Sequence, residues 1–248
     1  MSGDRTLILG GTAEARELAE QLSGAGVPVI SSLAGRVARP RLPVGEVRVG
    51  GFGGPEALAR WLHDHCIVAV VDATHPFAER ISASAATACS RAGVPLLRLE
   101  RPGWSEGRGD RWYWVDSLEQ AAAAIPRLGH RVLLTTGRQG LAAFADSGEP
   151  WFLIRCVDPP APPLPPYHEL ILDRGPYTLP GELTLIDRHR IDLLVAKDSG
   201  GNLTRAKLDA ARSRRLPVIV VRRPPRPPGP AAVSTVGAAA EWVRELAA

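Results

Sequence analysis

Thr6-Leu7-Ile8-Leu9-Gly10-Gly11-Thr12-Ala13-Glu14-Ala15 is the stretch on which the fold turns. A short apolar run ends in two glycines, and apolar residues then recur at helical spacing across Ala13–Leu22. That pattern is a strand, a tight turn and a helix. Glycines in such a turn let backbone approach a phosphate, and the helix that follows offers free N–H groups and the positive end of its dipole. The match to G-x-G-x-x-G is incomplete, because the third glycine position is not met, although Ala13 and Ala15 are small. A nucleotide site and a plain tight turn both remain open at this point, and Glu14 has an ordinary role as a first-turn helix acid.

The same alternation continues on both sides of this stretch. Val27–Leu33, Val44–Val49, Ile67–Val71 and Pro95–Leu99 read as strands, with helices expected at Pro55–His65 and Phe77–Ala92. Farther on, Trp112–Val115, Arg131–Thr135, Trp151–Val157, Leu170–Leu172, Leu193–Val195 and Val218–Val221 read as strands. Helices are expected at Ser117–Ile125, from Gly140, near Glu182–Arg190, at Thr204–Arg215 and at Ala238–Leu246. Strands alternating with helices predict an α/β fold with mainly parallel sheets. The Gly-rich, charged loop Arg101–Asp110 marks the expected boundary, giving domains over 1–100 and 101–248. Pro159–Pro166 and Pro224–Pro230 read as extended surface connections.

Composition narrows the function. The chain has 248 residues, 45% of them hydrophobic and 23% charged, which is ordinary for a globular protein. No apolar run approaches the ~20 residues that cross a bilayer, and no secretory segment is visible, so a cytoplasmic protein is expected. Cys66, Cys89 and Cys156 are widely spaced and odd in number, which argues against a disulfide framework or thiolate zinc site. His63-Asp64-His65-Cys66 resembles a metal clip, but residues two apart diverge at a helix end, and no metal is expected. A net charge of +4, without a basic block and interleaved aromatics, does not suggest nucleic acid. Of the 30 basic residues only Lys197 and Lys207 are lysines. A compact ammonium differs chemically from a guanidinium, so both positions draw interest.

Several segments at strand carboxyl ends carry chemistry. NAD sites usually place an acid after the second strand, against the ribose 2′-hydroxyl. Here the strand ends in Ser31-Ser32, with Gly35-Arg36 beyond, a set suited to a 2′-phosphate and hence to NADP. Thr74-His75-Pro76 follows the next strand, where His75 is a candidate for proton transfer or for capping. Thr135–Arg138 and Lys197-Asp198-Ser199-Gly200 follow two more. Lys197 is a candidate for ligand contact, or for a structural pair with Asp198. A Walker A loop, a Tyr-x-x-x-Lys pair, a G-x-S-x-G elbow and an S-x-x-K motif are all absent from the sequence.

Together, Gly10–Ala15, Asp72–Ala78, Leu97–Trp104, Leu134–Gly137, Ala196–Gly200 with Lys207, and Pro217–Pro224 resemble the precorrin-6A reductase family (CobK, CbiJ) of cobalamin biosynthesis. The resemblance implies two Rossmann-like domains with an active-site cleft between them that holds NADPH. It also implies reduction of one double bond of a corrin-precursor macrocycle bearing acetate and propionate side chains. Under it, Lys197 and His75 become candidate catalytic groups. Gly10, Gly11, Thr12, Ser31, Ser32, Gly35, Arg36, Thr74, His75, Pro76, Lys197, Asp198, Ser199 and Gly200 become candidate cofactor contacts. Arg98, Arg101, Trp104, Gly137, Arg138 and Lys207 become candidate substrate contacts, the arginines for carboxylates and Trp104 for stacking. A cobalt-containing version of the substrate and a non-catalytic NADP sensor are the alternatives, and the oligomeric state is left open.

Overall fold

The computed structural model describes residues 4–35 and 41–247, and nearly every apolar run becomes a strand. The elements are β1 (Arg5–Leu9), α1 (Ala13–Gly24), β2 (Val29–Leu33), β3 (Glu46–Val49), α2 (Pro55–Asp64), β4 (Ile67–Asp72), α3 (Glu79–Ala92) and β5 (Leu96–Leu99). There follow β6 (Trp112–Val115), α4 (Leu118–Ala124), β7 (Arg131–Leu134), β8 (Trp151–Cys156), β9 (His168–Leu172), α5 (Leu179–His189), β10 (Leu193–Lys197), α6 (Ala206–Ser213), β11 (Val218–Val221), β12 (Ala231–Val233) and α7 (Val236–Ala247). The chain divides into two units, Met1–Arg101 with Pro224–Ala248, and Pro102–Arg223.

The first unit holds a six-stranded sheet in the order β12-β5-β4-β1-β2-β3, every pair parallel. Its inner strands β1, β2 and β4 are buried on both faces, as a covered parallel sheet requires, while the edge strands β3 and β12 are partly exposed. Ile8 and Val71 pack with α1 and α7, through Leu18, Leu22, Ala239 and Val243. Leu7, Leu9 and Val70 point the other way, against Leu58 and Leu62 of α2 and Ala85 and Ala88 of α3. In α1 the buried residues are Ala15, Leu18, Ala19 and Leu22, the i, i+3, i+4, i+7 stripe of an amphipathic helix.

The second unit repeats the plan in the order β6-β11-β10-β7-β8-β9, again all parallel. Leu133, Leu153, Leu194 and Val220 meet Ile186 of α5 and Leu208 and Ala211 of α6.

Four elements depart from the sequence reading. Residues 224–248, expected in the second domain, lie in the first unit, because β12 extends its sheet beside β5 and α7 packs on α1. β12 itself was not foreseen; it is three residues long and follows a proline run. The helix expected from Phe77 begins at Glu79, because His75–Ala78 is a turn closed by Ala78 N–H on His75 O at 2.8 Å. Only a single 3₁₀ turn, Leu141–Phe144, forms after Gly140. Among the described residues no helix is long and apolar enough to cross a membrane.

Candidate functional site

In the first unit the chain winds from β1 through β2 to β3 on one side, then returns to place β4 on the other side of β1. Open α/β sheets bind ligands at such a reversal, outside the strand carboxyl ends. The turn after β1 is Gly10-Gly11-Thr12, and the turn after β4 is Ala73–Pro76. Gly11 has φ +112°, and no atom lies within 4 Å of where its Cβ would be, so the backbone there faces open space. Thr12 Oγ1 accepts from Ala15 N–H at 3.1 Å, capping α1, and donates to Ala73 O at 2.7 Å. One hydroxyl therefore joins the two turns. A shallow depression lies here, lined by Thr12, Glu14, Thr74, Pro76, Glu100 and Arg101 among others. Arg101 crosses to Glu14 at 2.8 Å.

Beneath the depression lies a buried ionic cluster. Arg98 is 7% exposed, and its Nη1 pairs with Asp72 at 2.6 Å and donates to Thr74 Oγ1 and Ser82 Oγ. Its Nη2 reaches Thr74 O, and its Nε reaches Glu100 at 3.2 Å. Asp72 Oδ1 also accepts from Thr74 N–H and Oγ1–H. Arg98, expected to bind a substrate carboxylate, is thus committed inside the unit and fixes the turn that lines the depression. His75 Nδ1 accepts from Phe77 N–H at 3.2 Å, so the neutral ring carries its proton on Nε2.

At the end of β2, Ser31 and Ser32 are 1% and 6% exposed, and Ser31 Oγ has no hydrogen-bond partner. Both residues are buried, and the Ser31 hydroxyl, expected to face a 2′-phosphate, is enclosed. Gly35 follows with φ +70°, and Arg36 lies outside the described residues. In the sequence no carboxylate follows this strand before Glu46.

The second unit reverses between β7 and β10. After β7, Thr135 Oγ1 donates to Val195 O at 3.0 Å, Thr136 is buried, Gly137 has φ +77° and Arg138 is exposed. After β10, Lys197 is half-buried, and Ser199 N–H closes a tight turn on Lys197 O at 2.6 Å. Asp198 accepts from Trp104 N–H at 2.9 Å and pairs with Arg223 at 3.2 Å. Asp198 thus holds the loop, where a cofactor contact was expected. Gly200, with φ +64°, packs against Pro102 O and the Arg223 guanidinium so closely that a side chain has no room.

Two further expectations change. Trp104 is 6% exposed inside the second unit's core and donates its indole N–H to Gly201 O at 3.0 Å, so its ring does not present a stacking face. Lys207 is 4% exposed in the first turn of α6, with Nζ 5.4 Å from the Trp104 ring centre. Burial pushes its ammonium down to about 7, helped by Arg155 and opposed by Glu182. Arg155 and Glu182 form a bidentate pair, both buried, and the guanidinium also stacks 3.9 Å from the Tyr177 ring centre. Sequence reasoning missed this pair, and it missed the roles of Asp72, Ser82 and Glu100. The partners lie far apart in sequence, except Glu100, which stands two residues from Arg98.

A family model described as precorrin-6x reductase CbiJ/CobK matches residues 5–244. The chain is 53% identical to a precorrin-6A reductase of Rhodococcus erythropolis and 51% identical to one of Mycobacterium tuberculosis, each alignment covering 98% of both chains. Relatives described as cobalt-precorrin-6A reductases match at 28–31% identity. A solved structure described as CobK precorrin-6A reductase superposes with a TM-score of 0.93 at 40% identity, covering 99% of this chain and 98% of that one.

Proposed function

Because the chain belongs to the CbiJ/CobK precorrin-6x reductase family, we propose that it reduces a carbon–carbon double bond of precorrin-6A with NADPH, to give precorrin-6B in cobalamin biosynthesis. The reductase family implies a nicotinamide cofactor. The observation that carries its placement is the open Gly10-Gly11-Thr12 turn at the β1/β4 reversal. Its residues fit a dinucleotide: backbone faces open space at Gly11, and Ala15 stands at the third glycine position. Thr12, in place of the second glycine, turns its side chain inward to cap α1. The lack of an acid after β2 favours NADP over NAD. When bound, the dihydronicotinamide supplies the hydride.

The chain's own residues bind and orient. Thr12, Thr74 and the Arg98 cluster fix the two turns around the depression. In the second unit, Arg138 and Lys197 stand at the β7/β10 reversal, and their cations suit the acetate and propionate groups of the macrocycle. Relatives named for the metal-free substrate are the more similar ones, which supports that substrate over the cobalt form.

The test is turnover of precorrin-6A followed by the macrocycle's absorption, with NADPH and NADH compared. Preference for NADPH by about tenfold or more in kcat/KM is expected from a charge-assisted 2′-phosphate contact. NADPH binding without turnover would instead mark a sensor. Lys197→Ala is expected to lower kcat/KM about tenfold while leaving the folded state intact; wild-type kinetics in that variant would remove Lys197 from the site.

A further inference from the structure

The depression at the first turn poses an electrostatic conflict. A diphosphate is the group that glycine-rich turns receive, yet this depression is lined by two carboxylates, Glu14 and Glu100. Glu100 is answered from within its own surroundings, by Arg98 at 3.2 Å and by Arg226 at 3.5 Å. Glu14 is different. It lies in the first turn of α1, where a diphosphate would sit, and its carboxylate is paired with Arg101 at 2.8 Å. That pair remains partly open to solvent, at 17% exposure for Arg101 and 26% for Glu14. Solvent, and with it an incoming anion, therefore reaches the pair from one side.

We propose that Glu14 and Arg101 form a latch, in which Arg101 is a ligand for the cofactor's diphosphate and Glu14 holds it in the anion's place until the cofactor arrives. The inference rests on the dinucleotide reading of this depression. Glu14 and an incoming diphosphate compete for one guanidinium and for one helix terminus. Arg101 swings from one oxyanion to another at short range, and Glu14 is left to turn outward into solvent. Arg101 then acts on the cofactor side of the reaction, where a substrate carboxylate contact was expected of it.

The experiment is equilibrium titration of the intact protein with NADPH, ADP-ribose and adenosine, read by ligand fluorescence or calorimetry, for wild type, Glu14→Gln and Arg101→Gln. The latch requires effects of opposite sign from the two halves of one ion pair. Glu14→Gln should tighten NADPH and ADP-ribose about two- to fivefold, since the competing partner is gone. Arg101→Gln should weaken both about tenfold, and adenosine, which has no phosphate, should respond to neither variant. A pair that merely braces the turn would weaken binding in both variants, and that result overturns the latch. Unchanged or weaker binding by Glu14→Gln overturns it as well. If wild type itself binds no NADPH, the dinucleotide reading fails first and the latch falls with it.

Discussion

Replacing Lys207 by methionine should abolish a rise of stability with pH. In the folded protein the ammonium is pushed down from 10.5 to about 7, first by burial, then by the Arg155 guanidinium, with Glu182 acting in the opposite sense. In the unfolded chain lysine keeps its ordinary value near 10.4. Between about pH 7 and 10 the unfolded state therefore binds a proton that the folded state does not, and folding gains stability as pH rises. Below about 7 both states are protonated, and the burial penalty is present in full. The full difference corresponds to about 5 kcal/mol, of which about 2–3 kcal/mol appears between pH 7 and 9. Above about pH 9 the gain is offset. Burial raises the thiols of Cys89, to about 12, and Cys156, so the unfolded thiols ionise first and stability falls. Urea melts of wild type and Lys207→Met at pH 7, 8 and 9 isolate the effect, because the cysteines are common to both. Wild type should gain on the variant up to pH 9, with methionine the more stable residue at pH 7. Parallel stability curves would show that Lys207 keeps a normal ammonium, and the account of this cluster would be wrong.

Three further outcomes follow from packing. Glu182→Gln should cost about 3–5 kcal/mol in a urea melt, because the buried Arg155 loses its bidentate partner, whereas the double change Arg155→Met with Glu182→Leu should recover most of that loss. Gly200→Ala should destabilise by at least about 1–3 kcal/mol, since φ is +64° and a Cβ meets Pro102 O and Arg223. Arg98→Met should cost a similar 3–5 kcal/mol by leaving Asp72 buried and unpaired, with Arg98→Lys restoring part of the stability but not the Thr74 contacts; equal melts for wild type and Arg98→Met would remove the cluster from the structural argument.

The strand ends that flank the two reversals were legible because each is written locally, as an apolar run followed by glycine, threonine or other polar turn residues, whereas the strand order that makes them reversals was not. Ile8 and Leu9 with Gly10-Gly11, and Leu193–Val195 with Lys197–Gly200, needed no distant partner to be read. The charged side chains were harder. Arg98 and Arg101 look alike in sequence, yet one is closed in by Asp72, Thr74 and Ser82 from two other elements while the other stays at the rim of the depression. Lys197 and Lys207 were singled out for their rarity, but only the fold reveals that α6 turns Lys207 into a core while Lys197 stays half-open. β12 escaped because three residues after a proline run carry no period of their own; their partner strand β5 lies more than a hundred residues earlier.

That last strand has a consequence for synthesis. The first unit is made of two stretches separated by the second unit, since β12 closes its sheet beside β5 and Val236, Ala239, Ala240 and Val243 cover the α1 face. While the ribosome is still making residues 102–223, the first unit has an open sheet edge and a half-bare core. The second unit is one unbroken stretch of chain and needs nothing made later. The part translated second is therefore able to reach its native state first, and the part translated first must wait, with exposed apolar surface, until α7 leaves the exit tunnel.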